Sequence, residues 1–204
     1  MREYTTVEEI ENYLLVTIDN AFTSQIKTWI EDMSEYIEGE TGRVFEADDV
    51  ATEKIYETQH THTVELGDYH DKLNTLYVDE FVSGSNSLSI AGTLVATDDY
   101  IFYPINTNPK MRVKLTDTSG LTYDVGEQNI QFEACWGFSE TCPRPIKFAC
   151  TVFVSGIILN SLSQEGELAS VTIGRYTASY RDKKQMNDFD RATEILTKYT
   201  KVLI

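Results

Sequence analysis

The stretch NIQFEACWGFSETCPRPIKFACTVFVSGIILNSL, Asn129–Leu162, changes its hydrophobic period halfway along and thereby decides the fold. Its first part alternates apolar and polar side chains around Ile130 and Phe132, which is typical of a strand with one buried face. Pro143 and Pro145 then interrupt the chain, and proline is well tolerated in the first turn of a helix. The apolar residues that follow recur at helical spacing and cover nearly all sides. This predicts a central buried helix over residues 146–162, with a strand as the alternative because several residues are β-branched.

Two further helices are predicted before the change of period. Thr6 and Glu9 form a capping-box pattern, which predicts a helix from Val7 to about Leu15. A second helix is expected from about Asn20 to Gly42, since its apolar residues fall on one stripe. That stripe consists of Phe22, Ile26, Trp29, Ile30, Met33 and Ile37.

The middle of the chain is typical of short strands separated by turns. Turn signals occur at residues 83–86 and 118–120. After the central helix we expect a loop at residues 164–169, an extended segment at 171–180 and a last helix over about 184–203. The predicted strands are Lys54–Gln59, Thr61–Leu66, Thr75–Val78, Ser87–Ile90, Tyr100–Tyr103, Arg112–Leu115 and Ile130–Trp136.

This order of elements predicts an α+β fold, in which a bundle of about four helices contains a strand-rich insertion between its second and third main helices. We place the bundle and a C-terminal arm in residues 1–49 and 137–204. The insertion then covers residues 50–136. A chain of 204 residues suits one domain with such an insertion.

The charge of the chain is strongly acidic and unevenly distributed. It has 33 acidic and 17 basic residues, for a net charge of −16. Residues 1–100 hold 22 acids and five bases, whereas residues 175–204 hold four acids and seven bases. A duplex-DNA reader would normally present a basic patch. The acidity fits either simple solubility or a surface that repels phosphate and lets DNA pass.

Residues capable of catalysis or metal binding are few. His60 and His62 would share one face of a strand, and they are weak candidates for a metal site because such pairs are common on ordinary strands. The cysteines Cys135, Cys142 and Cys150 have no zinc-ribbon spacing and are expected to be free thiols. We expect no enzyme and no cofactor, with a metal-dependent enzyme using the two histidines as the alternative.

No apolar run is long enough to cross a bilayer, and the start of the chain lacks the apolar region of a signal peptide. A cytosolic protein without a membrane segment is therefore expected. Trp29 and Trp136 are predicted to anchor cores. Gly137 is predicted to adopt a backbone conformation that other residues resist.

Three segments, in this order, resemble the head–tail connector proteins of tailed bacteriophages, also called adaptor or head-completion proteins. The first is Tyr4–Thr6 before the capped helix, with Ile37–Phe45 at the end of the next helix. The second is Asn129–Phe138 with Pro143 and Pro145–Ala149, and the third is Ile173–Tyr180, which contains Gly174. Arg43 lies within the first segment.

The resemblance implies a virion protein of the neck, assembled in the host cytoplasm. Its subunits would form a ring, usually of twelve, that docks beneath the portal protein. The ring would extend the channel through which DNA passes without sequence-specific binding, and would provide the platform for the next neck or tail-completion protein. Another neck or tail structural protein, such as a tail terminator, is the alternative.

The C-terminal segment from Val171 is predicted to dock on the portal, since it is basic in an acidic chain and ends in an amphipathic helix. Deleting residues 184–204 is expected to abolish portal binding and to leave the strand-rich region folded. The proposed contact residues are Arg175, Tyr176, Tyr180, Arg181, Lys183, Lys184, Phe189, Arg191, Leu196 and Tyr199.

Overall fold

A computed structural model describes residues 2–58, 74–123, 126–162, 169–173, 176–180 and 183–201, with side-chain detail for 2–57, 74–123, 129–161 and 186–201. The fold is α+β, and a six-stranded antiparallel sheet lies between the second and third of four helices. The helices are α1 (Val7–Leu14), α2 (Thr23–Thr41), α3 (Arg144–Leu162) and α4 (Lys183–Tyr199). The sheet strands are β1 (Thr52–Thr58), β2 (Thr75–Ile90), β3 (Thr93–Leu94), β4 (Tyr100–Tyr103), β5 (Lys110–Leu115) and β6 (Gly126–Trp136), and a separate hairpin holds β7 (Ala169–Ile173) and β8 (Tyr176–Tyr180).

The chain divides into two compact units. The helical unit consists of Met1–Phe45 and Cys142–Ile204, and the sheet unit is Glu46–Thr141. Each unit has a core of its own among the described residues, because the helices bury one set of apolar side chains and the strands another.

Helix α3 is the centre of the helical unit, as its hydrophobicity on all sides predicts. Residues 151–159 are buried without interruption. The other three helices and strand β8 all pack against this helix. Since no side of α3 is left to solvent along that stretch, its removal would leave the other helices without a common partner.

Local sequence signals define the ends of the first two helices. The Thr6 hydroxyl accepts from the Glu9 amide and the Glu9 carboxylate accepts from the Thr6 amide, so the predicted capping box is present. Helix α2 starts three residues later than predicted, because Asp19 caps a separate 3-10 turn over Asn20–Phe22. It ends at Gly42, whose positive φ of +65° is the usual glycine stop.

The sheet has the strand order β1-β6-β2-β5-β4, with β3 paired to the end of β2. Strand β2 is long enough to pair with β5 through its first half and with β6 through its second half. Its inner face carries a cluster of aromatic side chains, in which Phe81 contacts Phe102, Phe132 and Trp136 at ring-centroid distances of 5.1, 5.0 and 6.1 Å. Such edge-to-face pairs stabilise a core beyond the area they bury.

The turn predicted at residues 83–86 is wrong. These residues lie inside β2, where the pairing with β6 shifts register between Val82 and Ser87. A bulge of this kind uses the same small and polar residues as a turn, which explains the error. The segment predicted to be extended over 171–180 is extended in its described residues, which belong to the two paired strands β7 and β8. The strand predicted at Thr61–Leu66 lies outside the described residues.

Candidate functional site

The C-terminal end of α4 is fixed to the end of α2 inside the helical unit. The Nε atom of Arg43 donates to the carbonyl of Tyr199 at 2.6 Å, and the Lys201 amide donates to the carbonyl of Thr41 at 2.7 Å. The Phe45 ring meets the Tyr199 ring edge-to-face at 5.6 Å. These contacts hold the end of α4 in one position on the bundle.

Three of the proposed portal-contact residues pack inside the helical unit. Leu196 is buried, and Phe189 is half-buried with its ring 5.6 Å from that of Phe153 on α3. Tyr199 is half-buried against Phe45. Arg191 is exposed, with its guanidinium 5.2 Å from the Phe148 ring centroid. The apolar stripe of helix α4 thus packs against the rest of the helical unit, mainly α3, and only the outer face of the helix is open to a partner.

The charges on that outer face cancel. Asp190, Arg191, Glu194 and Lys198 are exposed, and Lys198 pairs with Glu194 at 2.7 Å. The basic excess of the C-terminal segment therefore lies earlier, in residues 175–184, which contain four basic residues and one acid. Arg175, Arg181 and Gly174 lie outside the described residues, and the side chains of Tyr176, Tyr180, Lys183 and Lys184 are likewise outside the description.

The N-terminal segment is held in the helical unit by a buried hydrogen-bonded cluster around Tyr4. The Tyr4 hydroxyl donates to Glu38 and accepts from the Phe45 amide at 2.9 Å, and the Tyr4 amide donates to the Ser34 hydroxyl at 3.0 Å. The Thr5 hydroxyl lies 2.7 Å from that of Thr151 on α3. Burial, and then the hydrogen bond to Glu38, raise the pKa of Tyr4 well above its usual range. The phenol is therefore neutral and acts as a structural link between the chain start, α2 and the segment after it.

An apolar groove of about 520 Å³ opens in the helical unit where α1 ends and α2 begins. Trp29, predicted to anchor a core, is half-buried and lines this groove. Phe22 at its rim is 52% exposed. The sequence predicts that Phe22 and Trp29 belong to the apolar stripe of the second helix. It does not show that this end of the stripe lies outside the buried core and is partly exposed. The remaining lining residues are Leu14, Val16, Thr17, Ile18, Asp19, Gln25, Ile26, Ile158, Leu159 and Ser161.

In the sheet unit, Trp136 and Gly137 lie where β6 meets the segment that leads into the sheet. Trp136 is 6% exposed and its indole Nε1 donates to the Thr52 carbonyl at 2.8 Å. Gly137 has a φ of +153°, and its amide donates to the Glu80 carbonyl at 2.8 Å. Pro143 and Pro145 flank the start of α3 in the helical unit, and Pro145 lies in its first turn.

Histidine, cysteine and acidic side chains are the groups that could hold a metal ion, and a cysteine thiol could also act as a nucleophile. No cluster of three or more such side chains in the described part of the chain is arranged to hold a metal ion. His60 and His62 lie outside the described residues. Cys142 and Cys150 are buried and Cys135 is partly exposed, all as free thiols. Burial raises the pKa of Cys150 to about 12, so this thiol is not a nucleophile at neutral pH.

No helix in the described ranges combines the length and the apolar character that a bilayer span requires.

Comparison with known proteins identifies the fold. No protein-family model matches the chain, and no curated protein matches it. A chain in a structure described as "Neck of empty GTA particle computed with C6 symmetry" is similar over 97% of this chain and 90% of its own length, with a TM-score of 0.57 and 11% identity. A chain in "Virion of native gene transfer agent (GTA) particle" is similar over the same shares, with a TM-score of 0.54 and 13% identity. At such low identity the likeness establishes a shared fold.

Proposed function

We propose that this chain is a structural subunit of the neck of a tailed phage or phage-like particle, and specifically of a head–tail connector ring. The observation that carries this proposal is the fold similarity to chains of a gene transfer agent neck and virion, which spans 97% of this chain and 90% of those chains. Because the match covers 97% of this chain, it includes both the helical unit and the sheet unit.

The sequence supports the same function independently. The three segments that resemble head–tail connector proteins occur in the expected order, and they include the Tyr4 cluster and the Trp136–Gly137 junction. The first holds the helical unit together and the second closes the sheet unit. A structural role for both fits a scaffold protein better than a catalyst.

The ring is proposed to contain twelve subunits, as the resemblance implies. The neck structure with the similar chain was computed with C6 symmetry. A ring of twelve obeys sixfold symmetry, and so does a ring of six, so the mass of the assembled ring distinguishes the two numbers.

The charge distribution suits a ring through which DNA passes. The net charge of −16 repels the phosphate backbone, so that DNA is not retained on a channel wall made of these subunits. Under this proposal the protein has no catalytic role and needs no cofactor. It would be assembled in the host cytoplasm and would reside at the head–tail junction of the virion.

Portal docking is proposed for the C-terminal segment, with the basic residues of 175–184 as the main contacts. The exposed side chains described on α4, from residue 186 onward, contribute no net charge, whereas residues 175–184, which include the first two residues of α4, carry an excess of three positive charges. The next neck or tail-completion protein would then bind the opposite side of the ring.

Parallel binding assays test this function. The purified chain is incubated with immobilised portal protein and, separately, with assembled tail tube from the same particle. Retention on portal alone is expected of a connector subunit. Retention on the tail tube alone would identify a tail terminator instead, and retention on neither would remove the neck assignment.

A further inference from the structure

The outer face of the sheet carries an arginine held between two tyrosines. Tyr77 on β2, Arg112 on β5 and Tyr103 on β4 are direct cross-strand neighbours in one row. The guanidinium carbon of Arg112 lies 5.9 Å from the Tyr77 ring centroid and 5.5 Å from that of Tyr103. We call these three residues the arginine–tyrosine face.

This row points away from the core of the sheet unit. The neighbouring row, formed by Leu76, Val113 and Phe102, packs into the aromatic core, and side chains alternate between faces along a strand. Tyr77 is accordingly 71% exposed. The next outward row contains Lys114 and Ile101, and Ile101 is 42% exposed.

The composition of this face is that of a binding surface. Tyrosine and arginine are enriched in protein interfaces, and residues of these types dominate binding energies. The aromatic rings already orient the guanidinium, so little side-chain entropy is lost when a partner binds. In the described part of the chain no carboxylate lies within ion-pair distance of Arg112, and the charge is therefore available to a partner.

The position of this positive charge is unusual for the sheet unit. Residues 46–141 contain 17 acids and only five bases, and three of those bases are Lys110, Arg112 and Lys114 on β5. The Lys110 ammonium is buried and donates to the carbonyls of Pro104 and Ile105 at 2.5 and 2.8 Å. Arg112 and Lys114 thus form a local basic site in an acidic unit.

A complementary face occurs on the β1–β6 side of the same sheet. Glu53 on β1 and Glu133 on β6 are direct cross-strand partners, and both are exposed on the outer side. Like charges directly opposite one another destabilise a strand pair unless a cation lies near. Lys54, next in sequence, points to the inner side, where it pairs with Asp79 at 2.8 Å and lies over the Trp136 ring. We call Glu53 and Glu133 the glutamate face.

We propose that the arginine–tyrosine face of one copy of this chain binds the glutamate face of the next copy, and that this contact is one of the lateral contacts of the ring; the inference rests on the connector function proposed above. The two faces lie on the same side of the sheet, one on β2, β5 and β4 and the other on β1 and β6. In the proposed ring each copy offers its arginine–tyrosine face to one neighbour and its glutamate face to the other, and such head-to-tail contacts generate rings when the rotation closes. Ile55 beside the glutamate face is 52% exposed and supplies an apolar surface for the tyrosine rings.

A charge-swap experiment tests this contact. Arg112→Glu makes both faces of the chain acidic, and Glu53→Lys reverses the charge at one position of the glutamate face. Each variant alone should self-associate at least tenfold more weakly than the wild type in sedimentation velocity with portal protein present. An equimolar mixture of the two variants should recover ring assembly, because every contact in an alternating ring then joins opposite charges.

Matched variants control for a general charge effect. Lys27→Glu and Glu35→Lys make the same charge changes at exposed positions of α2 and should leave ring assembly unchanged. Circular dichroism of all four variants checks that each is folded.

The outcomes separate the two proposals. If the wild type forms rings and the single variants form them equally well, or if the mixture fails to recover assembly, the sheet contact is wrong while the connector function stands. Loss of portal binding by Arg112→Glu with intact rings would show that this face binds portal instead and would also overturn the inference. Binding of single-stranded DNA that is lost in Arg112→Glu, with rings intact, would overturn it as well. No self-association of the wild type, with or without portal, would contradict both proposals.

Discussion

Gly137 and Ala47 approach so closely that no side chain fits between them. A Cβ atom on Gly137 would lie 2.5 Å from the Cα atom of Ala47 and 2.7 Å from its amide nitrogen. The approach is held by two backbone hydrogen bonds, from the Ala47 amide to Ser139 at 2.9 Å and from the Asp48 amide to Trp136 at 3.1 Å. This pairing ties the entry and the exit of the sheet unit to each other.

Gly137→Ala should destabilise the sheet unit by about 2–4 kcal/mol, because either the backbone of residues 46–47 moves or the hydrogen bonds beside it break. Urea unfolding followed by tryptophan fluorescence measures the change. Gly84→Ala is the matched control, since nothing lies within 4 Å of its Cβ position, and it should change the free energy of unfolding by less than about 1 kcal/mol. Equal effects of the two variants would mean that the 47–137 approach is not tight.

Trp136→Ala should cost roughly 3–5 kcal/mol of unfolding free energy, in the range of other large-to-small changes of buried aromatic residues. The indole is 6% exposed and contacts Phe132 at a centroid distance of 5.8 Å. Chemical denaturation followed by circular dichroism gives the value. A loss below about 1 kcal/mol would show that Trp136 is not part of the core.

Tyr4→Phe should destabilise the helical unit by about 1–3 kcal/mol, because the Phe45 amide loses its buried acceptor and Glu38 loses its donor. Thermal unfolding of the two proteins, compared at one pH, measures this loss. Tyr36→Phe removes a hydroxyl for which the described residues supply no hydrogen bond, and it should be close to neutral. If both variants were neutral, the Tyr4 cluster would contribute no net stability.

Stability should fall at alkaline pH because two buried groups are held in their neutral forms. Burial is the main reason that the pKa of Cys150 is raised to about 12 and that the pKa of Tyr4 is raised as well. For each group, the folded state favours the neutral form, and this contribution to stability is fully present below the pKa that the group has in the unfolded chain. For the Cys150 thiol that pKa is near 9. The contribution is lost as the pH rises from the unfolded value toward the folded value, by about 1.4 kcal/mol per pH unit for each group.

Urea unfolding of the wild type and of Cys150→Ala between pH 8 and about 10.5 tests this linkage. The variant starts from a lower stability because it leaves a cavity, but its stability should decline less steeply above pH 9. Identical slopes for the two proteins would show that the Cys150 thiol ionises as easily in the folded protein as in the unfolded one.

The double variant Lys183→Glu, Lys184→Glu should weaken portal binding at least tenfold without unfolding the bundle. It is a cleaner test than deletion of residues 184–204, since the deletion also removes the α4 stripe that packs on α3. Surface plasmon resonance against portal protein, repeated at two salt concentrations, gives the affinity and its electrostatic share. Unchanged binding by the double variant would show that Lys183 and Lys184 do not contact the portal protein.

Sequence periodicity predicts the helices well because each buries a continuous stripe. The capping box at Thr6 and the glycine stop at Gly42 define two ends by local chemistry alone, and both are present. The strands are harder to delimit. The composition of residues 83–86 is typical of a turn, but these residues form a bulge inside β2. The pairing of β2 with β6 determines this outcome, and the local sequence does not reveal that pairing.

The candidate surfaces depend on contacts that the sequence does not reveal. Nothing local to Arg112 indicates that Tyr103 on the preceding strand and Tyr77 on a more distant one flank its guanidinium, because the register of three strands sets that arrangement. Likewise Leu196 belongs to the amphipathic pattern of α4, but only the packing against α3 shows that it faces inward. A contact between copies of a chain leaves no periodic signal in its sequence, so the proposed ring surfaces rest on charge and exposure.

Electron microscopy of the chain bound to portal protein tests the central claim most directly. We expect class averages of the portal complex to show an additional ring at one end of the portal, coaxial with its channel, and mass photometry to give an added mass of about twelve chains. Portal particles without an additional ring, together with a chain that binds only the tail tube or stays monomeric beside the portal, would contradict the assignment as a head–tail connector subunit.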